Sequence, residues 1–260
     1  MPEARVVPPP PSPGLTIASY NVHKCVGLDK RFDPARIAAV IGEVDADIVA
    51  LQEADQRFGE RAGLLDLDRL RRDFGLVQAP IVPRTARGHG WHGNLILVRE
   101  GVVNRVQQMS LPGVEPRGAV LADVELAGVR LRVVAAHLGL LRHSRTLQAR
   151  AILTMLGAQD EVLPTVLLGD LNEWRKGRRS SLSVFTSVFD HPHPPVASFP
   201  ARRPIFALDR VMGNTPGLVA TVEVHDTPLS RVASDHLPVK ARLDLSAATG
   251  SGQSRAAPAH

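Results

Sequence analysis

The chain is short of cysteine, lysine, aromatic residues and long apolar runs, and each shortage excludes something. One cysteine, Cys25, rules out an internal disulfide and an all-cysteine metal centre. No apolar run reaches the roughly 18 residues that a bilayer-spanning segment needs. The opening MPEARVVPPPPSPG has no apolar stretch of the kind a secretory signal carries, so a cytoplasmic location is expected; a monomer is expected as well. Aromatic residues make up 4% of the chain, too few for an obvious base-stacking platform. The cations are mostly arginine: only Lys24, Lys30, Lys176 and Lys240 are lysines. A guanidinium fork suits phosphate oxygens, and a net charge of +5 with a pI near 10.1 points the same way. An arginine- and alanine-rich composition also follows from genomic base bias, so charge alone does not choose a partner.

What is present is enough for one large core. Hydrophobic residues form 44% of 260, and α/β chains of this length often make a single domain. Residues 1–14 and 246–260 are rich in proline or small residues without apolar periodicity and read as disordered tails, leaving one domain over 15–245. Within it, 15–20, 47–52, 94–99, 102–109, 119–126, 129–136, 165–169, 205–212, 218–225 and 237–244 read as strands. Ala127-Gly128 suits a hairpin turn. Helices are expected from Asp33-Pro34, where a carboxylate cap precedes a first-turn proline, and near 64–74, 144–158 and 181–188. Many strands with a few crossing helices suggest two packed sheets flanked by helices.

The informative pattern is where strands stop. Strand 15–20 ends at Asn21, 47–52 at Glu53, 129–136 at His137, and 165–169 at Asp170 with Asn172 beyond it. Asp209 lies within an apolar run, and Asp235-His236 precede the closing strand. Each alone has a bland reading: a strand-end Asp is usually a turn-former, a lone Glu is usually surface, and Asp209 could pair with Arg210. Together they form a set of carboxylates, carboxamides and histidines that suits a hard divalent cation and a phosphate ester. On an extended chain Asp170 and Asn172 should point the same way, with Leu171 turned into the core.

The segments SYNVHKC, VALQEAD, AAHLGL, LLGDLNEW, FALDRV and ASDHLPV resemble, in this order, the endonuclease/exonuclease/phosphatase superfamily, nearest its bacterial uncharacterised and sphingomyelinase-like members. The resemblance implies a four-layered α/β sandwich: two packed, mainly antiparallel sheets flanked by helices, with the site at one sheet edge. It implies hydrolysis of a phosphate ester with Mg²⁺ or Mn²⁺. It makes Glu53 the principal metal ligand, with Asn21 beside it and Asp235 as a further carboxylate. Asp170 becomes the water-activating residue and Asn172 a phosphate ligand; His236, oriented by Asp209, becomes the phosphate-contacting histidine. His137 takes a place held by histidine or tyrosine; Arg117 and Asn94 border the substrate, or else are an exposed strand-start charge and a turn residue respectively. The loop GHGWHG (88–93), WRKGRR (174–179) and HPHPP (191–195) are substrate-facing variables, although His191 and His193 could instead bind a transition metal. The leading function is a phosphodiesterase acting on nucleic acid; the alternative is a lipid or small-molecule phosphodiesterase or phosphatase. A non-catalytic phosphate-binding module would need a missing catalytic residue, and Glu53, Asp170, Asn172, Asp209 and His236 are all present.

Overall fold

Along the chain run β1 (Leu15–Asn21), α1 (Pro34–Val44), β2 (Ile48–Gln52), α2 (Leu67–Phe74), β3 (Leu76–Gln78), β4 (Leu95–Arg99), β5 (Val102–Leu111), β6 (Arg117–Leu126) and β7 (Val129–His137). They are followed by α3 (Arg142–Gly157), β8 (Thr165–Asp170), β9 (Asp209–Gly213), β10 (Val219–Val224), α4 (Ser230–Ala233) and β11 (Val239–Leu243). The computed structural model describes residues 14–126, 128–190 and 193–246. The expected tails, apart from Gly14 and Ser246, lie outside the described residues, as do Ala127 of the hairpin turn and His191.

One sheet has the order β10-β11-β1-β2-β4-β3 and the other β5-β6-β7-β8-β9. The two sheets and their flanking helices form an α/β sandwich. Every neighbouring pair is antiparallel except β1–β2 and β7–β8, each joined through a helix, α1 or α3. One apolar core lies between the sheets and beneath α1 and α2, with Ile17, Leu51, Val133, Ala135, Val166 and Leu168 among its members. A second lies between the outer face of β6–β9 and α3, where Leu121, Val134, Leu167 and Met212 meet Ala149, Ile152 and Met155. Strands facing two cores read as unbroken apolar runs, which is why 166–168 shows no alternation.

Local chemistry sets the helix ends. Asp33 accepts from the Arg36 amide at 2.9 Å and Pro34 follows it, as expected. The second helix begins only at Leu67, because Asp66 takes the cap and accepts from the Arg69 amide. In α3 the buried face is partly polar: Arg145 and Gln148 are enclosed while Leu147 and Leu156 are half-buried. Arg145 donates to the carbonyls of Gly139 and Leu140, and Gln148 accepts from the Gly139 amide, so the helix braces the segment after His137. The strand expected at 205–212 begins only at Asp209, since Phe206 pairs back with Phe199 in an isolated bridge. The segment 181–188 is helical as a 3-10 helix, Ser181–Ser187.

Candidate active site

Strand polarity gathers the site. In each parallel pair both strands finish at the same edge, so β1 and β2 bring Asn21 and Glu53 there, and β7 and β8 bring His137 and Asp170. The antiparallel neighbours of these strands start at that edge. Their first residues therefore come to it: Asn94 before β4, Arg117 opening β6, Asp209 opening β9, and Asp235-His236 before β11. Register then aligns side chains across one sheet: His137 pairs with Asp170, and Asp170 with Asp209. These three continue the inward-facing rows of Val133-Ala135, Val166-Leu168 and Val211, so they stand where the inter-sheet core gives way to the surface.

Gly169 permits the close strand contact. Its φ is +148°, and a Cβ there would stand 1.8 Å from the Ala136 carbonyl oxygen. Asp170, almost fully buried, accepts from Asn21 Nδ2 at 3.0 Å and from the Asn172 amide at 3.0 Å. Its Oδ2 also lies 3.3 Å from His137 Nε2 and 3.8 Å from His236 Nε2. Burial alone would raise its pKa; the charge on His236 and the hydrogen bonds from His137 and Asn21 outweigh this and hold the carboxyl well below its usual range. His236 Nδ1 stands 2.8 Å from Asp209 Oδ2, which also accepts from Ser198 Oγ at 2.5 Å. Burial opposes protonation of His236, but Asp209 and Asp170 push its pKa up to about 10, so it is an imidazolium at neutral pH. The alternative pairing of Asp209 with Arg210 is not made through the carboxylate: Arg210 donates to backbone carbonyls, including that of Glu173.

Arg117 Nη1 lies 2.9 and 2.8 Å from the two ring nitrogens of His137. Glu53, in the left-handed region at φ +58°, pairs with Lys24 Nζ at 2.5 Å. Burial raises its pKa, and His137, Lys24 and Arg117 more than reverse the effect. Asn21 Oδ1 accepts from the His23 amide, and Asp235 lies 3.8 Å from His23 Nε2. Asn21, Glu53 and Asp235 are all oxygen donors, and no described hydrogen bond uses the second oxygen of Glu53. Oxygen donors of this kind are what a hard divalent cation takes. The described residues also hold a tighter acid–histidine group, Asp170, Asp209 and His236, whose ligand atoms lie within 4.8 Å of one another.

Two sequence expectations change here. Asn172 does not continue an extended chain: at φ +52° it turns back, giving its amide to Asp170 and its Nδ2 to the Leu138 carbonyl. Leu171 does turn into the core. Asn94 spends Nδ2 on the carbonyls of Trp91 and Gly118, so it braces the start of β4 against β6 rather than offering protons to a substrate. His193 lies against the Val219 carbonyl at 2.8 Å, a structural contact.

Sequence reasoning missed Lys24 and Glu173. Lys24 lies in a tight left-handed turn that no residue pattern announced. Glu173, immediately after Asn172, is fully buried, accepting from Ser181 Oγ and the amides of Ser181 and Arg175 and pairing with buried Arg145. An acidic residue followed by a basic run reads as surface, so only the fold reveals it. Exposed Trp174 and Phe206 approach to 5.8 Å between ring centroids, with Arg175 4.8 Å over Trp174, two residues beyond Asn172.

The chain shares its fold with several solved structures. An endonuclease/exonuclease/phosphatase from Beutenbergia cavernae DSM 12333 is 23% identical, covering 89% of this chain and 71% of that one, with a TM-score of 0.65. A mannosyl-6-phosphatase from Bacteroides thetaiotaomicron VPI-5482 is 18% identical over 87% of this chain and 98% of that one, TM-score 0.62. D. rerio TDP2 complexed with a single-strand DNA product is 16% identical over 88% and 98%, TM-score 0.62. No curated protein matches significantly. A family model matches residues 18–236, from within β1 to His236 itself, and the chain belongs to the endonuclease/exonuclease/phosphatase family of phosphate-ester hydrolases.

Proposed function

We propose that this protein is a divalent-metal-dependent phosphodiesterase acting on nucleic acid. The observation that carries the hydrolytic part is the interlocked Asn21–Asp170–His137 and Asp209–His236 constellation, in which each side chain is oriented by another. Asp170, anionic and held from three sides, orients a water and accepts its proton as the water attacks phosphorus. The His236 imidazolium, kept charged by Asp209, faces the charge that develops on the phosphoryl oxygens; Arg117 and the remaining Asn172 amide proton are further donors to it. Glu53, Asn21 and Asp235 would hold the metal, which when bound polarises a phosphoryl oxygen and offsets its charge.

Nucleic acid is favoured by the exposed Trp174–Phe206 pair beside Asn172 and by the basic run from Arg175 to Arg179, which offer a face for a planar base and contacts for a polyanionic backbone. One similar structure is complexed with a DNA product, while another is a mannosyl-6-phosphatase. A substrate panel with Mg²⁺ or with EDTA tests the reading. It should contain single- and double-stranded DNA, RNA, sphingomyelin, inositol phosphates, mannose 6-phosphate and aryl phosphate mono- and diesters. Metal-dependent cleavage of nucleic acid is expected. Cleavage of lipid or sugar phosphate alone would overturn the substrate class, and activity indifferent to EDTA would overturn the metal requirement.

A further inference from the structure

On the Glu53 side of the catalytic corner, the cleft lined by Glu53, Arg117 and His137 continues past these residues into a part that the proposed hydrolysis does not use. Its walls are the segment after Glu53 and the GHGWHG loop, brought together where Gly93, at φ +79°, lies so close that a Cβ would stand 3.3 Å from Glu53 Cα. Lining it are five cations, Lys24, Arg57, Arg61, Arg84 and Arg117, against two carboxylates. Both carboxylates are engaged: Glu53 with Lys24, and Asp55 with the amides of His89 and Gly90 at 2.9 Å each. Among the described residues no carboxylate lies within ion-pair distance of Arg57, Arg61 or Arg84.

Guanidinium groups gathered along one cleft make it attractive to anions. Arg84 is held rather than left loose: its Nη1 donates to His92 Nε2 at 2.9 Å, and its guanidinium lies 5.8 Å from the Trp91 ring. Burial and the charges of Arg84 and Arg61 depress the His92 pKa to about 4, so the ring stays neutral and accepts that proton. Arg117 and His137 both line the cleft, so it is continuous with the catalytic corner.

We propose that this pocket binds a second phosphate group of the substrate, next to the one attacked, with Arg61 and Arg84 as its principal ligands and Arg57 at its rim. The inference rests on the phosphodiesterase reading and narrows it: the preferred substrate carries at least two neighbouring phosphates. The second phosphate could be a terminal monoester or another diester of the same strand. Both present anionic oxygens to guanidinium forks.

The dithymidylate TpT, the same with a 5′-phosphate (pTpT), and TpTpT separate these sources. Wild-type kcat/KM should be at least tenfold higher for pTpT, TpTpT or both than for TpT. Arg61→Gln/Arg84→Gln should erase that preference while leaving TpT hydrolysis within about twofold. The charge-matched control Arg71→Gln/Arg72→Gln, on exposed α2 positions, should keep it. A wild-type enzyme indifferent to the second phosphate, or a preference surviving in Arg61→Gln/Arg84→Gln, would overturn the subsite. Failure of the underlying activity would show separately, as no cleavage of any diester including bis(p-nitrophenyl) phosphate. Pyrophosphate titration by calorimetry in EDTA then decides the subsite without catalysis. Binding at least tenfold weaker in Arg61→Gln/Arg84→Gln than in wild type and the control supports it; equal binding in all three rejects it.

Discussion

At the Asp170 corner every side chain is held by a neighbour: Asn21 and His137 reach Asp170, Asp209 holds His236, and Arg117 backs His137. Across the site, the side chains around Glu53 stand in loops, partly open to solvent, and among the described residues Lys24 is the one cation paired to that carboxylate. Strand register sets the first arrangement, and a one-residue slip would turn His137, Asp170 and Asp209 away from one another. The second depends on turns whose residues adopt left-handed backbone, including Lys24, Glu53, Arg61 and His92. The two sides of the same edge are thus built from different parts, paired strands on one and loop turns on the other.

Four substitutions test this contrast. The largest effect is expected from Asp170→Asn, which keeps the shape and removes the base: kcat should fall by about 10²–10⁴-fold with an unchanged circular dichroism spectrum. Full activity would remove Asp170 from the mechanism. Next, Glu173→Ala leaves Arg145 charged and buried without its partner, and urea titration should show a loss of about 3–5 kcal/mol. Burial would raise the pKa of Glu173, but its bonds to Ser181, Arg175 and Arg145 lower it to about 2. The stabilisation it gives is therefore present above the ordinary carboxylate range and lost as pH falls towards 2; the variant should show a flatter acid limb.

Asp209→Asn should act through pH. His236 is raised, so its charged form is fully stabilising below the ordinary histidine range, and that contribution fades as pH rises through about 10. Removing the Asp209 charge should bring the alkaline fall of kcat/KM down by about 1–3 pH units; an unmoved profile would deny Asp209 its orienting role. The smallest effect belongs to the loop side. Lys24 and Glu53 are both partly exposed, so Lys24→Met should change stability by less than about 1 kcal/mol. With Glu53 as the proposed metal ligand, Lys24 would compete with the cation, so Mg²⁺ titration of the variant should reach half-maximal activity at a severalfold lower concentration. A higher requirement would show instead that Lys24 helps assemble the site.

Legibility followed the same division. Strand ends at Asn21, Glu53, His137 and Asp170 could be read because each closes an apolar run, and the Asp33-Pro34 helix start because capping is local. The brace made by Asn94 and the reversal at Asn172 could not, since each depends on a carbonyl of another segment: Gly118 for Asn94, Leu138 for Asn172. Trp174 and Phe206 stand 32 positions apart, and no composition count could pair them.

The sequence by itself determined the two-sheet architecture, the family and the identity of the groups at the strand ends, because apolar runs, caps and motif order act over short distances. Only the tertiary structure decided which of those groups touch, which are spent on holding loops, and that several arginines gather beside Glu53. Those outcomes come from register between distant strands and from loops folding over one another, where contact is made across space and leaves no spacing in the chain to read.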